Sequence, residues 1–368
     1  MPASQAATAQ SPKSVSELIQ RIRSDYPANQ PVWLRFAETV LQVLTNSAEV
    51  AADLEDYFAP FLCQADAPDI QVTAHQAPEI NLALPFQEKP PEPGKTKVKE
   101  AYSDLPDGRI VRKTQTGICC AFDSRDALIV GPCREHLNQV VNFVNHCYVR
   151  PALQSGAVLG HAAGVAFGEK GLALAGASGS GKSTLALKLL DLGGDFVSND
   201  RLVILRGSSG LVMRGLAKHP RVNPGTLLTN PGLRKLLSQA EQQELSSLPH
   251  EALWQLERKY DVPIHRVFGS GRFRLQAGLQ ALIILNWSPD SLDGMRIVKV
   301  DPERNPELLT SFMKTPGVFL EMDSSRLEAV SIQDYQQFMQ SCPVYEISGG
   351  VDFNGAARVC QEALGQGS

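Results

Sequence analysis

Nine consecutive residues constrain this chain more than any others. Gly176-Ala177-Ser178-Gly179-Ser180-Gly181-Lys182-Ser183-Thr184 fits the pattern G-x-x-x-x-G-K-[ST]. The short apolar run Leu172–Ala175 precedes it, and Leu185, Leu187, Leu189 and Leu190 continue as a helix until Gly193-Gly194. Strand, glycine loop and helix in that order turn the pattern into an expected phosphate site on an α/β fold. Small residues let successive backbone N–H groups face one anion, and the helix start adds its positive dipole end. Lys182 is expected on the β- and γ-phosphates, with the Ser183 hydroxyl on Mg²⁺.

The residues beyond the helix narrow the chemistry. The run Asp195-Phe196-Val197-Ser198-Asn199-Asp200 reads as a short strand ending in a carboxylate, and Leu202–Leu205 as the next strand. Asp200 is thereby expected beside the glycine loop, binding Mg²⁺ or accepting a proton from an acceptor hydroxyl. A carboxylate near Mg²⁺ and an ammonium is a weak base. In a loose phosphoryl-transfer transition state the proton leaves late, so orienting the hydroxyl suffices.

Composition bounds the rest. A chain of 368 residues exceeds one ordinary domain. Its 43% hydrophobic and 20% charged content is that of a globular protein. A net charge of −4 argues against a nucleic-acid partner. No basic-then-apolar leader opens the sequence, and Pro151–Gly168, though uncharged, is too polar to span a bilayer. The seven cysteines are odd in number and lack CxxC spacing, which reads as reduced thiols in a cytoplasmic protein without a membrane role.

Along the chain, Ser14 and Glu17 have capping-box spacing before a helix through Tyr26. Alternation at Val32–Phe36 and Leu41–Val43 predicts a hairpin around Glu38, Ser47 caps a second helix, and Ile70–Ala74 alternates again. Residues 1–84 thus read as an N-terminal α+β module with a loose tail at 1–13. A proline- and lysine-rich linker is expected over 85–100, and a catalytic domain with a C-terminal helix over 101–368. Within it, short strands are expected at 109–114, 118–122 and 127–130, then a helix ending at Arg150-Pro151.

Three elements together resemble the catalytic core of HPr kinase/phosphorylase: Leu159-Gly160-His161-Ala162-Ala163-Gly164-Val165, the glycine loop, and Phe196-Val197-Ser198-Asn199-Asp200. Tyr260-Asp261-Val262, Val267–Gly271 and the strand ending in Asn286-Trp287 follow in that family's order. This part of the resemblance covers about residues 155–290. Over its whole length the chain looks most like the HPr-kinase-related group called kinase B, through the segments at 89–96, 131–145 and 218–225.

The resemblance implies a P-loop kinase core akin to HPr kinase and phosphoenolpyruvate carboxykinase, using ATP and Mg²⁺ to phosphorylate a hydroxyl. In the parent family that hydroxyl is a serine of a partner protein. Asp200 matches the catalytic acid/base, and His161 the histidine beside the loop. Glu257 is the counterpart of a second metal ligand, although its spacing to Phe268 departs from the family's. Arg221 and Lys259 are candidates for the acceptor or the transferred phosphate, as is Arg272 after the second glycine turn. Members of that family are hexamers, which makes a homo-oligomer an expectation here too. Asn199 departs from the pattern, standing where the family has an acid, and this puts a reverse phosphorylase reaction in doubt.

The expectation is therefore an ATP-dependent kinase whose acceptor, protein or small molecule, the sequence does not name. Two alternatives stay open. One is a P-loop ATPase switch, weakened because the apolar strand Ala281–Leu285 ends in Asn286 rather than an acid. The other is a regulatory module that binds nucleotide without catalysis.

Overall fold

The computed structural model describes residues 11–91, 96–249, 252–253, 256, 258–320 and 331–365. The chain divides into two compact units, Met1–Pro151 with Pro316–Leu327, and Ala152–Thr315 with Glu328–Ser368. Both combine helices with mixed sheets.

The first unit opens with helix α1 (Val15–Asp25), whose Ser14 cap accepts the Glu17 N–H as its spacing predicts. Strands β1 (Gln30–Phe36) and β2 (Thr39–Thr45) form the expected hairpin, with Ala37 at φ +50° in the turn. Helix α2 (Ala48–Tyr57) then carries the chain to β3 (Ile70–Gln76), which pairs β2 in parallel. The aromatic run after α2 is core: Phe58 and Phe61 are buried, each against the Phe36 ring. Strands β4 (Gln87–Glu88), β5 (Glu100–Leu105), β6 (Gly108–Lys113), β7 (Cys119–Asp123) and β8 (Ala127–Gly131) complete one eight-stranded sheet in the order β1-β2-β3-β8-β7-β6-β5-β4.

That order moves the expected domain boundary. β3 pairs β8 in parallel, so residues 100–131 finish the sheet that residues 30–76 begin. Val15, Leu18, Ile19 and Ile22 of α1 share a core with Ile110, Ala121, Leu128 and Val130. Asp107 accepts the N–H groups of Val15 and Ser16 at 2.7 and 2.9 Å. The described residues on either side of the proline- and lysine-rich stretch belong to this sheet, as the antiparallel pair β4–β5, and the units part at Pro151. Helix α3 (Leu137–Gln154) also passes Pro151 instead of stopping there. The proline removes one interior hydrogen bond without ending the helix.

The second unit holds a nine-stranded sheet. Its members in chain order are β9 (Val158–Gly160), β10 (Ala162–Phe167), β11 (Lys170–Gly176), β12 (Asp195–Ser198), β13 (Leu202–Gly207) and β14 (Gly210–Arg214). A separate short pair, β15 (Arg221–Val222) with β16 (Tyr260–Asp261), lies outside it. β17 (Gln276–Leu285), β18 (Arg296–Val300) and β19 (Val344–Ser348) complete it. Helix α4 (Lys182–Asp191) follows β11.

The main path runs β12-β10-β11-β17-β14-β13-β9. β9 and β10 stand near opposite ends of that path, yet a single residue, His161, links them in sequence. Consecutive Cα atoms are only 3.8 Å apart, so the sheet must curl back until its ends meet. Asn199–Arg201 link β12 to β13 across the same seam.

Candidate active site

The seam brings two sequence-distant groups together. Leu202 pairs Gly160 antiparallel, so continuing the count past β9 and before β13 sets His161 opposite Arg201, the neighbour of Asp200. The Ser198 hydroxyl donates to the Arg201 carbonyl at 2.6 Å, closing the turn that carries Asn199 and Asp200. His161 Nε2 lies 3.1 Å from Asp200 Oδ1, and Arg201 Nε 3.9 Å from Oδ2. The hydrogen bond from His161 holds the Asp200 carboxyl well below the usual carboxylate range. Burial opposes it, while the charges of His161, Lys314 and Arg201 reinforce it. Asp200 is thus an anion at any ordinary pH.

The glycine loop lies between β11 and α4. Gly176 has φ +145°, and a Cβ there would lie 2.6 Å from the Leu285 carbonyl oxygen. Gly181, at φ +90°, is the N-cap of α4, and a Cβ on it would lie 2.7 Å from the Phe353 ring. No other residue type fits either position without displacing its neighbour. Trp287 donates from Nε1 to the Ser180 carbonyl at 2.7 Å and meets Phe353 edge-on at 5.1 Å. These two rings, from the end of β17 and from helix Phe353–Ala363, set the shape of the loop. No side chain caps α4, so its first N–H groups are left for an anion.

The buried Lys182 ammonium donates to the Gly176 and Ala177 carbonyls at 2.7 and 2.9 Å, using two of its three protons. Burial lowers its pKa; the charge of Asp200 opposes this, and that of Lys314 adds to it. Ser183 is the next residue on the first turn of α4. The Thr184 and Thr226 hydroxyls share a hydrogen bond of 3.1 Å, which ties α4 to helix α5 (Pro224–Thr229). Ala177, Ser178 and Gly179 are exposed. With Trp287, Leu308 and Ser311 they line a cleft of about 380 Å³.

The residues suit a magnesium–nucleotide complex. The glycine cradle closes if a Cβ is added, and α4 begins uncapped. Ser180 Oγ and Asn199 Oδ1 are buried without a hydrogen-bond partner among the described residues, although such atoms are normally paired. Among the described residues no group of three His, Cys, Asp or Glu side chains converges as a metal cage. Mg²⁺ ordinarily needs only one or two protein oxygens when phosphates supply the others.

Of the residues expected at the site, His161, Lys182, Ser183 and Asp200 gather around the seam and the loop. Arg221 lies in the separate β15–β16 pair, 3.4 Å from Asp261. Lys259, exposed, immediately precedes β16. Glu257 falls outside the described residues.

Arg272 does not join the site. Its guanidinium donates to the carbonyls of Leu190, at 2.8 Å, and Gly194, and to Asp195 Oδ1 at 2.9 Å. It closes the C-terminal end of α4, about 14 Å along the helix from the glycine loop. Carbonyls orphaned at a helix end attract such a cation.

Two further lysines act electrostatically on these residues. The half-buried Lys218 has its pKa lowered by burial and by Arg201, with Asp200 opposing. Lys314 acts on both Asp200 and Lys182. Lys218 falls in the segment 218–225 already marked by its resemblance, whereas no sequence signal marks Lys314.

No family model and no curated protein matches this chain. Among solved structures it is similar to the Hpr(Ser) kinase/phosphatase from Coxiella burnetii, at 13% identity and a TM-score of 0.27. That match covers 56% of this chain and 87% of the other. No described helix is long and apolar enough to cross a membrane.

Proposed function

We propose that this protein is a kinase that transfers the γ-phosphoryl group of ATP to a hydroxyl, a serine of a partner protein being the favoured acceptor. The observation that carries this reading is the His161–Asp200 pair, set beside a buried lysine of a glycine loop. A carboxylate held ionised by a histidine, close to a phosphate-binding ammonium, is what a hydroxyl acceptor requires.

The loop N–H groups and the start of α4 bind the phosphates, and Lys182 neutralises them. When bound, Mg²⁺ supplies charge neutralisation across the phosphates, and Ser183 and Asp200 are the side chains that would hold it. Asp200 orients the acceptor hydroxyl and takes its proton late in transfer, since its lowered pKa makes it a poor early base. His161 fixes the orientation of that carboxylate. The cleft beside the loop and Trp287 is the space this reading assigns to the nucleoside.

Asn286 ends the strand where a switch ATPase carries its acid, and its amide donates to Glu346 at 2.6 Å. This favours transfer over a hydrolytic switch. The test is incubation with γ-labelled ATP, Mg²⁺ and an extract of the source cells. The kinase reading predicts label in one acceptor, whereas label only in free phosphate would refute it.

A further inference from the structure

Backbone pairing continues past the end of β17 at Leu285. Asn286 N–H donates to the Ile347 carbonyl at 2.8 Å and Ser288 N–H to that of Gly349 at 2.9 Å, which extends the β17–β19 ladder on both sides of Trp287. The buried Trp287 is therefore held at its two chain neighbours. Asp352 accepts the N–H groups of Asn354 and Gly355 at 3.0 and 2.9 Å, and this cap fixes the first turn of helix Phe353–Ala363. From that turn Phe353 meets the indole edge-on at 5.1 Å, an arrangement that adds attraction beyond burial.

The two rings close on one peptide unit of the glycine loop, that joining Ser180 to Gly181. Its carbonyl accepts the Trp287 Nε1–H at 2.7 Å. At Gly181 a Cβ would lie 2.7 Å from Phe353 Cζ and 3.9 Å from Trp287 Cζ2. A trans peptide points its C=O and its N–H in opposite directions. Holding the carbonyl toward the indole thus turns the Gly181 N–H away from it. That N–H has no backbone partner among the described residues, and it immediately precedes the uncapped first turn of α4. Glycine turns its backbone at little steric cost, so an external bond is what gives this peptide one orientation.

Resting on the reading of the loop as a phosphate site, we infer that Trp287 is a positioning residue, whose indole N–H fixes the Ser180–Gly181 peptide so that the Gly181 N–H is presented to a phosphate of the nucleotide. Phe353 holds the indole in that role. A peptide already oriented by the fold need not be ordered by the ligand, which is how preorganisation raises affinity.

The test compares the wild-type chain with Trp287→Phe, which keeps a ring against Phe353 and loses the donor. Phe353→Leu, which removes the ring supporting the indole, is the second variant and serves should Trp287→Phe not fold. Affinities for Mg²⁺ with ADP and for tripolyphosphate, which carries no nucleoside, are measured by calorimetry, beside denaturant unfolding and label transfer from ATP. Trp287→Phe should weaken both ligands by the same factor, about 5–10-fold, the loss of one hydrogen bond. Phe353→Leu should weaken both by about 2–5-fold. A ring that only supported the fold would lower the unfolding midpoint and leave both affinities per folded molecule unchanged.

Unchanged affinity for both ligands would therefore overturn the inference. So would a loss for ADP alone, which would place the indole on the nucleoside instead. A wild type that binds neither ligand would refute the phosphate site and the inference together. Equal losses in a protein that labels no acceptor would refute the kinase reading while leaving Trp287 in its positioning role.

Discussion

His161 Nε2 stands 3.1 Å from Asp200 Oδ1, although 38 positions separate the two residues in the chain. They meet because two short links, residue 161 and residues 199–201, cross the same seam of a curled sheet. If His161 only aims the carboxylate, His161→Ala should leave nucleotide affinity within a few-fold of wild type. Transfer should slow by about 10–100-fold. Parallel calorimetry and single-turnover labelling separate the two effects, and a matching loss in both would assign His161 to nucleotide binding instead.

Lys182 touches the glycine loop itself through the Gly176 and Ala177 carbonyls. Lys182→Met should weaken ATP binding by about 100-fold, since it removes a buried charge that serves both loop and phosphate. Titration with a fluorescent ATP analogue reads this directly.

Arg272 is assigned to the fold rather than to catalysis. Arg272→Ala removes the donor to the Leu190 and Gly194 carbonyls and the partner of Asp195. It should cost about 1–3 kcal/mol of stability. Denaturant unfolding should show that loss, while KM for ATP and the rate per folded molecule stay close to wild type.

Glu100 gives the first unit a pH dependence. Its half-buried carboxylate contacts Lys113 and lies 3.1 Å from Lys89. Burial pushes its pKa up, but the two lysines outweigh that and hold it below its ordinary value. A carboxylate lowered in the folded state stabilises the protein fully above its unfolded pKa, about 4.3, and loses that contribution as pH falls through the folded value. Glu100→Gln should therefore be about 1–3 kcal/mol less stable near neutral pH. The gap to wild type should narrow steadily below about pH 4 in denaturant melts.

The parts of the site legible in the sequence are those written locally. Gly176–Thr184 sit between a strand and a helix, as their neighbours require, and Asp200 closely follows its short strand. The domain boundary was not legible. The prolines at 85, 90, 91 and 93 are a local signal, whereas the pairing of β3 with β8 joins segments some fifty residues apart. Arg272 follows a glycine turn and reads as a loop cation until the orphan carbonyls of α4 come into view. Lys314 has no motif at all. Its backbone is placed by pairing with Leu159–His161, about 150 residues earlier, and by the Tyr335 hydroxyl.

The sharpest test of the kinase reading compares wild type with Asp200→Asn. ATP affinity is measured by calorimetry and label transfer to the acceptor in the same preparations. The variant is expected to bind ATP within about tenfold of wild type and to transfer label at least about 10³-fold more slowly, because the group that orients and deprotonates the hydroxyl is gone. Undiminished transfer by Asp200→Asn would contradict that reading.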